Sequence, residues 1–285
     1  MPKRRFGAYV LPGDTVWLEK TLTRYYPLLD ALVVPVPTDG IGWKGVPIPV
    51  DDALEIIRRV DTRNLLSIVP GRWLDPENPI RGETAQRQAA LDALTGTVDW
   101  VLQLDGDELL PDPAALIPAV AAAEESGIAA VEWPMRVLFR RKGRWVFEVT
   151  NRNGEPRYDY PGSVAVRPGV VLKDGRRVAD AFLRAVVGGD HSSLQIVRPA
   201  EPLEQRWTGL RPEQAIIHNS WARSPHEIRH KIRSWGHADG WRGQLYYWLR
   251  WYPSPLTWRI LRDFHPFSRG LWPRLSRSVL TDESE

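Results

Sequence analysis

The chain has 285 residues, with 38 Lys plus Arg, 35 Asp plus Glu and no Cys. Its length suits one large domain or two small ones, and 43% hydrophobic residues exclude a generally disordered chain. The lack of Cys excludes disulfides, a thiolate nucleophile and zinc or iron–sulfur sites built on thiolates.

The first half of the chain alternates short apolar runs with helical patterns. Strands are predicted at 6–11, 31–37, 65–69 and 98–105, and helices at 14–26, 51–60, 83–94 and 113–125. Asp14 is the expected N-cap of the first helix. Because strands and helices alternate, we expect an α/β fold: a mostly parallel, Rossmann-like sheet with helices on both faces.

The pattern changes after residue 128, where short β-like runs at 131–139, 145–149, 163–167 and 170–172 predict a mixed β extension. A strand at 214–218 then precedes a helix capped by Ser224. Beyond it, aromatic and Arg residues are interrupted by prolines, which indicates a helical tail. We therefore predict one domain over residues 1–238 and a C-terminal tail over 239–285.

An acidic turn follows the buried strand at 98–105. It contains Asp105, Gly106, Asp107 and Glu108. The end of a strand in an open α/β sheet is where ligands bind, and two carboxylates one residue apart can hold one hard divalent cation. The alternative is a solvated acidic turn, in which three acids within four residues would repel one another. We therefore expect Mg²⁺ or Mn²⁺ here.

The run VDWVLQLDGDE at 98–108, preceded by Arg87 on an Ala-rich helix, resembles the GT-A glycosyltransferases, and most of all glycosyltransferase family 2. The resemblance extends over residues 5–238 in element order. It implies a GT-A-like fold and a nucleotide-sugar donor. It also implies that the two carboxylates of the D-x-D motif, Asp105 and Asp107, hold a metal ion against the donor diphosphate.

The same resemblance assigns roles to further residues. Arg87 matches an arginine that approaches the donor phosphates, and Asp39 matches an acid that contacts the base or ribose. His218, after the strand at 214–218, matches a histidine that completes the metal shell, while the alternative is a half-buried structural His. Asp105 is assigned to the metal or the ribose.

An enzyme that inverts the sugar configuration needs a carboxylate base for the acceptor hydroxyl. Asp190, in a Gly-rich loop, is the predicted catalytic base, and Asp159 is its rival. The acceptor itself is not specified by the sequence. A glycan or a lipid-linked precursor would suit the cationic tail.

Two other motifs admit competing interpretations. The run Gly40–Gly45 matches a dinucleotide-binding fingerprint, but Pro47 and Pro49 prevent the helix which that motif requires. His226, Glu227 and His230 form H-E-x-x-H, which would suit a zinc hydrolase. However, Ser224 and Glu227 fit a helix capping box, and Glu227 would then not be free to act as a base.

The C-terminal quarter is cationic and aromatic. Between residues 223 and 277 there are 11 Lys or Arg and three acids, and seven of the 14 Trp lie after position 220. Such a segment suits contact with an anionic membrane surface, packing against the body, or stacking on single-stranded nucleic acid. No nucleic-acid partner is expected for the transferase.

The sequence therefore predicts a metal-dependent glycosyltransferase. We expect the protein to be cytoplasmic, either free or bound peripherally at the inner face of the membrane. No apolar run is long enough to span a bilayer. The alternatives are the zinc hydrolase, a phosphohydrolase using Asp105 and Asp107, and a non-enzymatic module that binds membrane or nucleic acid.

Overall fold

The computed structural model describes residues 4–234 and 240–279. The strands are β1 (Phe6–Tyr9), β2 (Leu29–Pro37), β3 (Leu66–Gly71), β4 (Trp100–Gln103), β5 (Glu108–Leu109), β6 (Ala130–Glu132), β7 (Met135–Lys142), β8 (Trp145–Thr150), β9 (Tyr158–Asp159), β10 (Ser163–Val166), β11 (Leu172–Asp174), β12 (Arg177–Val178), β13 (Phe182–Val187), β14 (Glu204–Leu210), β15 (Ile216–His218) and β16 (Arg274–Val279). The helices are α1 (Leu18–Tyr25), α2 (Val50–Val60), α3 (Pro79–Ala93), α4 (Leu116–Glu125), α5 (Leu194–Val197), α6 (Pro225–Ser234), α7 (Gly240–Tyr246) and α8 (Ser254–Thr257).

An eight-stranded sheet has the order β14-β13-β6-β10-β4-β1-β2-β3. β10 runs antiparallel to both of its neighbours, and the other pairs are parallel. Apolar residues of α1, α2 and α4 pack on one face, and those of α3 pack on the other. The predicted fold class, a mainly parallel sheet with helices on both faces, is confirmed.

A second sheet, with the order β16-β8-β7-β15-β5 and with β9 beside β7, forms the mixed β extension. One predicted strand, at 131–139, is in fact two strands in two sheets. The break falls at Trp133 and Pro134, because proline has no N–H to donate to a ladder. The carbonyl of Pro134 instead accepts a hydrogen bond from the Ile216 amide, 3.0 Å away, at the start of β15.

The C-terminal tail is helical only in its first part. α7 continues through a π-helical turn, Tyr247–Trp251, to α8, but it is followed by β16, which pairs with β8 along six residues. Trp251 and Trp272 share a buried cluster with Val137 and Phe147 of the second sheet. The division into domains stays a prediction, and its boundary at 238 lies outside the described residues.

Within residues 4–234 and 240–279, no helix has the length and apolar character needed to cross a bilayer.

Candidate active site

The acidic turn lies at the carboxyl end of β4, near the middle of the large sheet. The Glu108 amide donates to the Asp105 carbonyl over 3.0 Å, which closes the turn, and the Asn219 amide donates to the Asp107 carbonyl over 2.9 Å. β5 then pairs antiparallel with β15, and this pairing sets Glu108 opposite His218. Two short strands from distant parts of the chain therefore join the acidic turn to the predicted histidine.

Asp107 is the centre of a buried ionic cluster and is 5% exposed. Its Oδ2 accepts from Nη2 of Arg223 at 2.6 Å and from Nζ of Lys231 at 3.3 Å. Its Oδ1 lies 3.6 Å from Nε2 of His218. Burial opposes ionisation, but the charges of Lys231 and Arg223 outweigh it and hold the pKa of Asp107 far below its usual value. Asp107 is therefore an anion with one oxygen facing the histidine.

Glu108 forms a buried pair with Arg176. Both carboxylate oxygens accept from the guanidinium at 2.6 Å, and Oε2 also accepts from the Asp105 amide at 3.1 Å. Although burial disfavours the charged guanidinium, the carboxylate outweighs that effect and raises the pKa of Arg176. The Glu108 carboxylate is thus fully engaged, and it fixes the shape of the turn.

Arg87 and Asp105, which are both predicted to lie at the donor site, are in contact. Nη2 of Arg87 donates to Oδ1 and Oδ2 of Asp105 at 2.9 and 3.0 Å, and Nε donates to Glu83. Arg87 is 3% exposed. Burial opposes its charge, but Asp105 and the nearby Tyr9 and Glu83 outweigh burial and raise the pKa of Arg87. The Arg87 guanidinium therefore orients the Asp105 carboxylate.

The donor set suits a hard divalent ion. Within the part of the chain that the structure describes, one group of three potential ligand atoms lies within 4.8 Å, on Asp107, Glu108 and His218. Because Arg176 already engages Glu108, the donors that remain are Oδ1 of Asp107 and Nε2 of His218. The carboxylate oxygen suits Mg²⁺ or Mn²⁺, and the imidazole nitrogen favours Mn²⁺ over Mg²⁺. Asp105 lies outside this group, and its metal role stays a prediction.

Asp39 follows β2, and β2, β1 and β4 are parallel, so Asp39 lies at the same edge of the sheet as Asp105. Its Oδ2 is 3.2 Å from Nε of Arg72, and its Oδ1 accepts from the Ile41 amide. In the glycine loop that follows, Nε1 of Trp43 donates to Gln86 of α3 over 2.7 Å. α2 begins only at Val50, which confirms that the glycine loop is not a dinucleotide fingerprint.

Asp190 follows β13, also at the carboxyl edge, but β6 and β10 separate β13 from β4. Three strand spacings of about 4.8 Å make this roughly 14 Å across the sheet. Oδ1 of Asp190 accepts from the Ser192 and Ser193 amides, and its buried Oδ2 has no hydrogen-bond partner among the described residues. The rival base, Asp159, accepts from Gln195. The catalytic role of Asp190 stays a prediction.

Sequence reasoning missed the part that Asp14, Arg176 and Arg223 take in the site. The predicted cap at Asp14 is wrong, because α1 begins at Leu18, and a carboxylate oxygen of Asp14 instead accepts from Nη2 of Arg223. For the two arginines the sequence carries no signal, because their partners lie 68 and 116 residues away. Lys231 of α6 also contacts Asp107.

The H-E-x-x-H motif lies on the surface of α6. His226 and His230 are exposed, and no third ligand joins them among the described residues. The Ser224 amide donates to Glu227 at 2.8 Å, and the Glu227 amide donates to the Ser224 hydroxyl at 3.3 Å. The predicted capping box is confirmed, and Glu227 is engaged in it.

No protein-family model matches the sequence, and no curated protein matches it. Similar solved structures include a 4-diphosphocytidyl-2C-methyl-D-erythritol synthase from Anaerococcus prevotii, at 13% identity and a TM-score of 0.31, covering 58% of this chain and 72% of that one. A CMP:2-keto-3-deoxy-manno-octonic acid synthetase complexed with CTP has 10% identity and a TM-score of 0.33, covering 58% and 74%.

A mannose-1-phosphate geranyltransferase from Thermus thermophilus has 14% identity and a TM-score of 0.29, covering 58% of this chain and 50% of that one. Scores this far below 0.5 do not by themselves demonstrate a common fold. The architecture of this chain therefore rests on its own sheet order, and its chemistry rests on the cluster at the carboxyl end of β4.

Proposed function

We propose that the protein is a metal-dependent glycosyltransferase that moves a sugar from a nucleotide-sugar donor to an acceptor hydroxyl. One observation carries this proposal. Oδ1 of Asp107 and Nε2 of His218 face each other at 3.6 Å, at the carboxyl end of the central strand β4. Ligand sites of open α/β sheets lie at this edge.

The donor nucleotide would bind along the same edge. Asp39 is the proposed contact for the base or ribose. Asp105, oriented by Arg87, offers carboxylate oxygens to a ribose hydroxyl, and the guanidinium of Arg87 adds positive charge beneath the donor phosphates. Since Arg87 and Asp105 are already paired, little rotamer freedom is lost when the donor binds.

Asp107 and His218 are the proposed metal ligands, and Asp105 is the further ligand that the D-x-D motif suggests. When bound, Mg²⁺ or Mn²⁺ would neutralise charge that develops on the departing diphosphate. Arg223 and Lys231 hold Oδ2 of Asp107, so that Oδ1 stays directed at His218. Glu108, locked by Arg176, keeps the turn in shape.

Asp190 is the proposed base that takes the proton of the acceptor hydroxyl in an inverting reaction. Its Oδ2 has no hydrogen-bond partner among the described residues and is buried, so the acceptor hydroxyl would have to reach this oxygen inside the protein. The hydroxyl must contact both Asp190 and the anomeric carbon, so the donor's diphosphate and sugar would have to span the three strand spacings between Asp107 and Asp190.

The test is calorimetric titration of nucleoside diphosphates with and without Mn²⁺. Binding should require Mn²⁺ and should weaken at least about tenfold in Asp107→Asn and in His218→Ala, a loss of about 1.4 kcal/mol. Asp92→Asn is the matched control, because Asp92 is exposed near the end of α3, and an Asn there can still accept from Gln88. Binding should not change in this control.

Binding that is indifferent to Mn²⁺, or equal in Asp107→Asn and wild type, would contradict the proposal. A phosphohydrolase acting through Asp105 or Asp107 would instead accumulate a phosphorylated aspartate, which intact-mass measurement detects. A non-enzymatic membrane or nucleic-acid binding module would show no nucleoside diphosphate affinity that depends on metal.

A further inference from the structure

A cavity of about 760 Å³ lies directly beside the proposed donor site. It is bounded by the end of β7, by residues 219–225 and by α8. Four of its lining residues are basic: Arg140, Arg141, Lys142 and Arg223. Arg223 also contacts Asp107, so the cavity and the proposed metal site share a wall.

Arg140 is the most unusual of these bases. It is 6% exposed, it forms no ion pair with any described residue, and its Nε has no hydrogen-bond partner among them. Its guanidinium stacks on the Trp251 ring, 3.6 Å from the ring centroid, and Nη1 makes one long hydrogen bond, of 3.4 Å, to the Arg223 carbonyl. A buried cation without an anion is costly, so this group is suited to an anionic ligand.

The charge of the cavity also favours an anionic ligand. The acid in its lining is Glu227, whose carboxylate already accepts from the Ser224 amide in the capping box. Arg223 is already paired with Asp107 and Asp14, so Arg140, Arg141 and Lys142 are the bases that face this engaged acid. Guanidinium groups bind phosphate through several charge-assisted hydrogen bonds, and this makes a phosphate group the matching ligand.

One side of the cavity opens onto an exposed apolar face. Exposed apolar residues recur every three or four positions along α7, the π-helical turn and α8. The apolar face that they form consists of Trp241, Leu245, Trp248, Tyr252, Leu256 and Ile260. Leu256 is 84% and Trp248 is 55% exposed. Tyr252 and Leu256 belong both to this face and to the cavity wall. Exposed apolar side chains that include Trp and Tyr suit the boundary region of a bilayer.

We propose that this cavity binds the phosphate of a phosphorylated lipid that carries the acceptor hydroxyl, while the apolar face enters the bilayer that contains this lipid. This inference rests on the proposed function, which supplies the donor. The apolar face and the basic cavity lie side by side, as a lipid chain and its phosphate do. Arg223 then connects the bound phosphate to Asp107.

The test is flotation of the full chain with vesicles in the absence of nucleotide. Three compositions are compared: phosphatidylcholine alone, phosphatidylcholine with phosphatidic acid, and phosphatidylcholine with phosphatidylserine at equal surface charge. Binding should be strongest to phosphatidic acid, whose phosphate is a monoester. Arg140→Gln should weaken binding to phosphatidic acid about fivefold, the effect of removing one basic contact at an anionic surface. Leu256→Asp should weaken binding to both anionic vesicles.

Two control variants match these changes. Arg58→Gln removes an exposed arginine of α2, and Val197→Asp places a charge at a residue that is 64% exposed in α5. Neither should alter vesicle binding. Thermal melting of Arg140→Gln shows whether this variant is folded. If it is not, the test relies on Leu256→Asp, since the Leu256 side chain is exposed and its replacement should not disturb folding.

Three results would overturn the inference: no vesicle binding, equal binding to phosphatidylserine and phosphatidic acid, or normal binding by both cavity variants. Inorganic phosphate that binds in calorimetry through Arg140, without any vesicle binding, would indicate a soluble phosphate ligand and would also overturn it. Nucleoside diphosphate binding that depends on Mn²⁺ is measured on the same samples. Its presence without vesicle binding would leave the donor proposal intact, and its absence would refute the donor proposal separately.

Discussion

Arg223 links two acids of the candidate site through a single nitrogen atom. Its Nη2 donates to Oδ2 of Asp107 at 2.6 Å and also to Oδ2 of Asp14. The segment before α6 is thereby tied to the loop before α1 and to the acidic turn after β4. The link determines which oxygen of Asp107 faces His218.

Replacing Arg223 with Met should lower the free energy of unfolding by up to about 3–5 kcal/mol, because Asp14 would lose its cation and the buried Asp107 would keep only Lys231. Urea denaturation monitored by tryptophan fluorescence measures this loss. Arg211→Met is the control, since the Arg211 side chain is 73% exposed and should contribute less than about 1 kcal/mol. Equal losses in both variants would mean that the buried pairs do not stabilise the fold.

Gly106 is packed too closely for a side chain. A Cβ at this position would lie 2.8 Å from the Asp14 carbonyl oxygen, a backbone atom that cannot move away freely. Gly106→Ala should therefore destabilise the protein by about 1–3 kcal/mol and weaken nucleotide binding that depends on Mn²⁺. Gly13→Ala is the matched control, because a Cβ added at Gly13 would meet no atom within 4 Å. Unchanged melting temperature and affinity in Gly106→Ala would refute the close packing.

Asp61 should make stability depend on pH in acid. Partial burial opposes its ionisation, but hydrogen bonds from the Tyr26 hydroxyl and the Leu65 and Leu66 amides outweigh burial and lower its pKa below 3.8. A lowered pKa in the folded state gives stability that is complete above the unfolded pKa of about 4 and is lost as the pH falls further.

Asp61→Asn should therefore be less stable than wild type at neutral pH, by about 1–3 kcal/mol, since one amide would face a donor instead of an oxygen. Urea denaturation of both proteins across the acid range measures the difference. It should shrink as the pH falls below about 4. A difference that stays constant between neutral pH and the acid range would contradict the lowered pKa.

The two histidine positions should behave in opposite ways. His218→Ala removes one of the two open metal donors, whereas His226→Ala alters an exposed residue in the first turn of α6. Calorimetry with Mn²⁺ and a nucleoside diphosphate should show weaker binding for His218→Ala and unchanged binding for His226→Ala. A zinc hydrolase would give the reverse result, with peptidase activity lost in His226→Ala.

Most of the first-half elements could be predicted because their signal is local. Apolar periodicity identified β1 to β4 and α2 to α4, with differences at their ends. Two strands of the large sheet, β13 and β14, were missed. β13 is buried along its whole length, but Arg184 interrupts its apolar run, and only the structure shows that Glu132 and Glu204 neutralise this arginine.

The acidic turn at the end of β4 and its neighbour His218 could be found from sequence, because strand ends and acidic residues are both visible in a one-dimensional pattern. The partners Arg176, Arg223 and Lys231 could not be assigned in this way. Each is one of 38 basic residues, and nothing local distinguishes it from a surface arginine or lysine.

The amino-acid sequence alone determined the alternation of strands and helices, the carboxylates at the end of β4 and the cap of α6, because each depends on residues within a few positions of one another. Only the tertiary structure decided which oxygen of Asp107 faces His218, that Arg87 holds Asp105, and that Arg140 is buried beside an apolar surface. Ion pairs and cavities form between segments that sheet pairing brings together from distant parts of the chain, so their chemistry is decided by the packing of the whole fold.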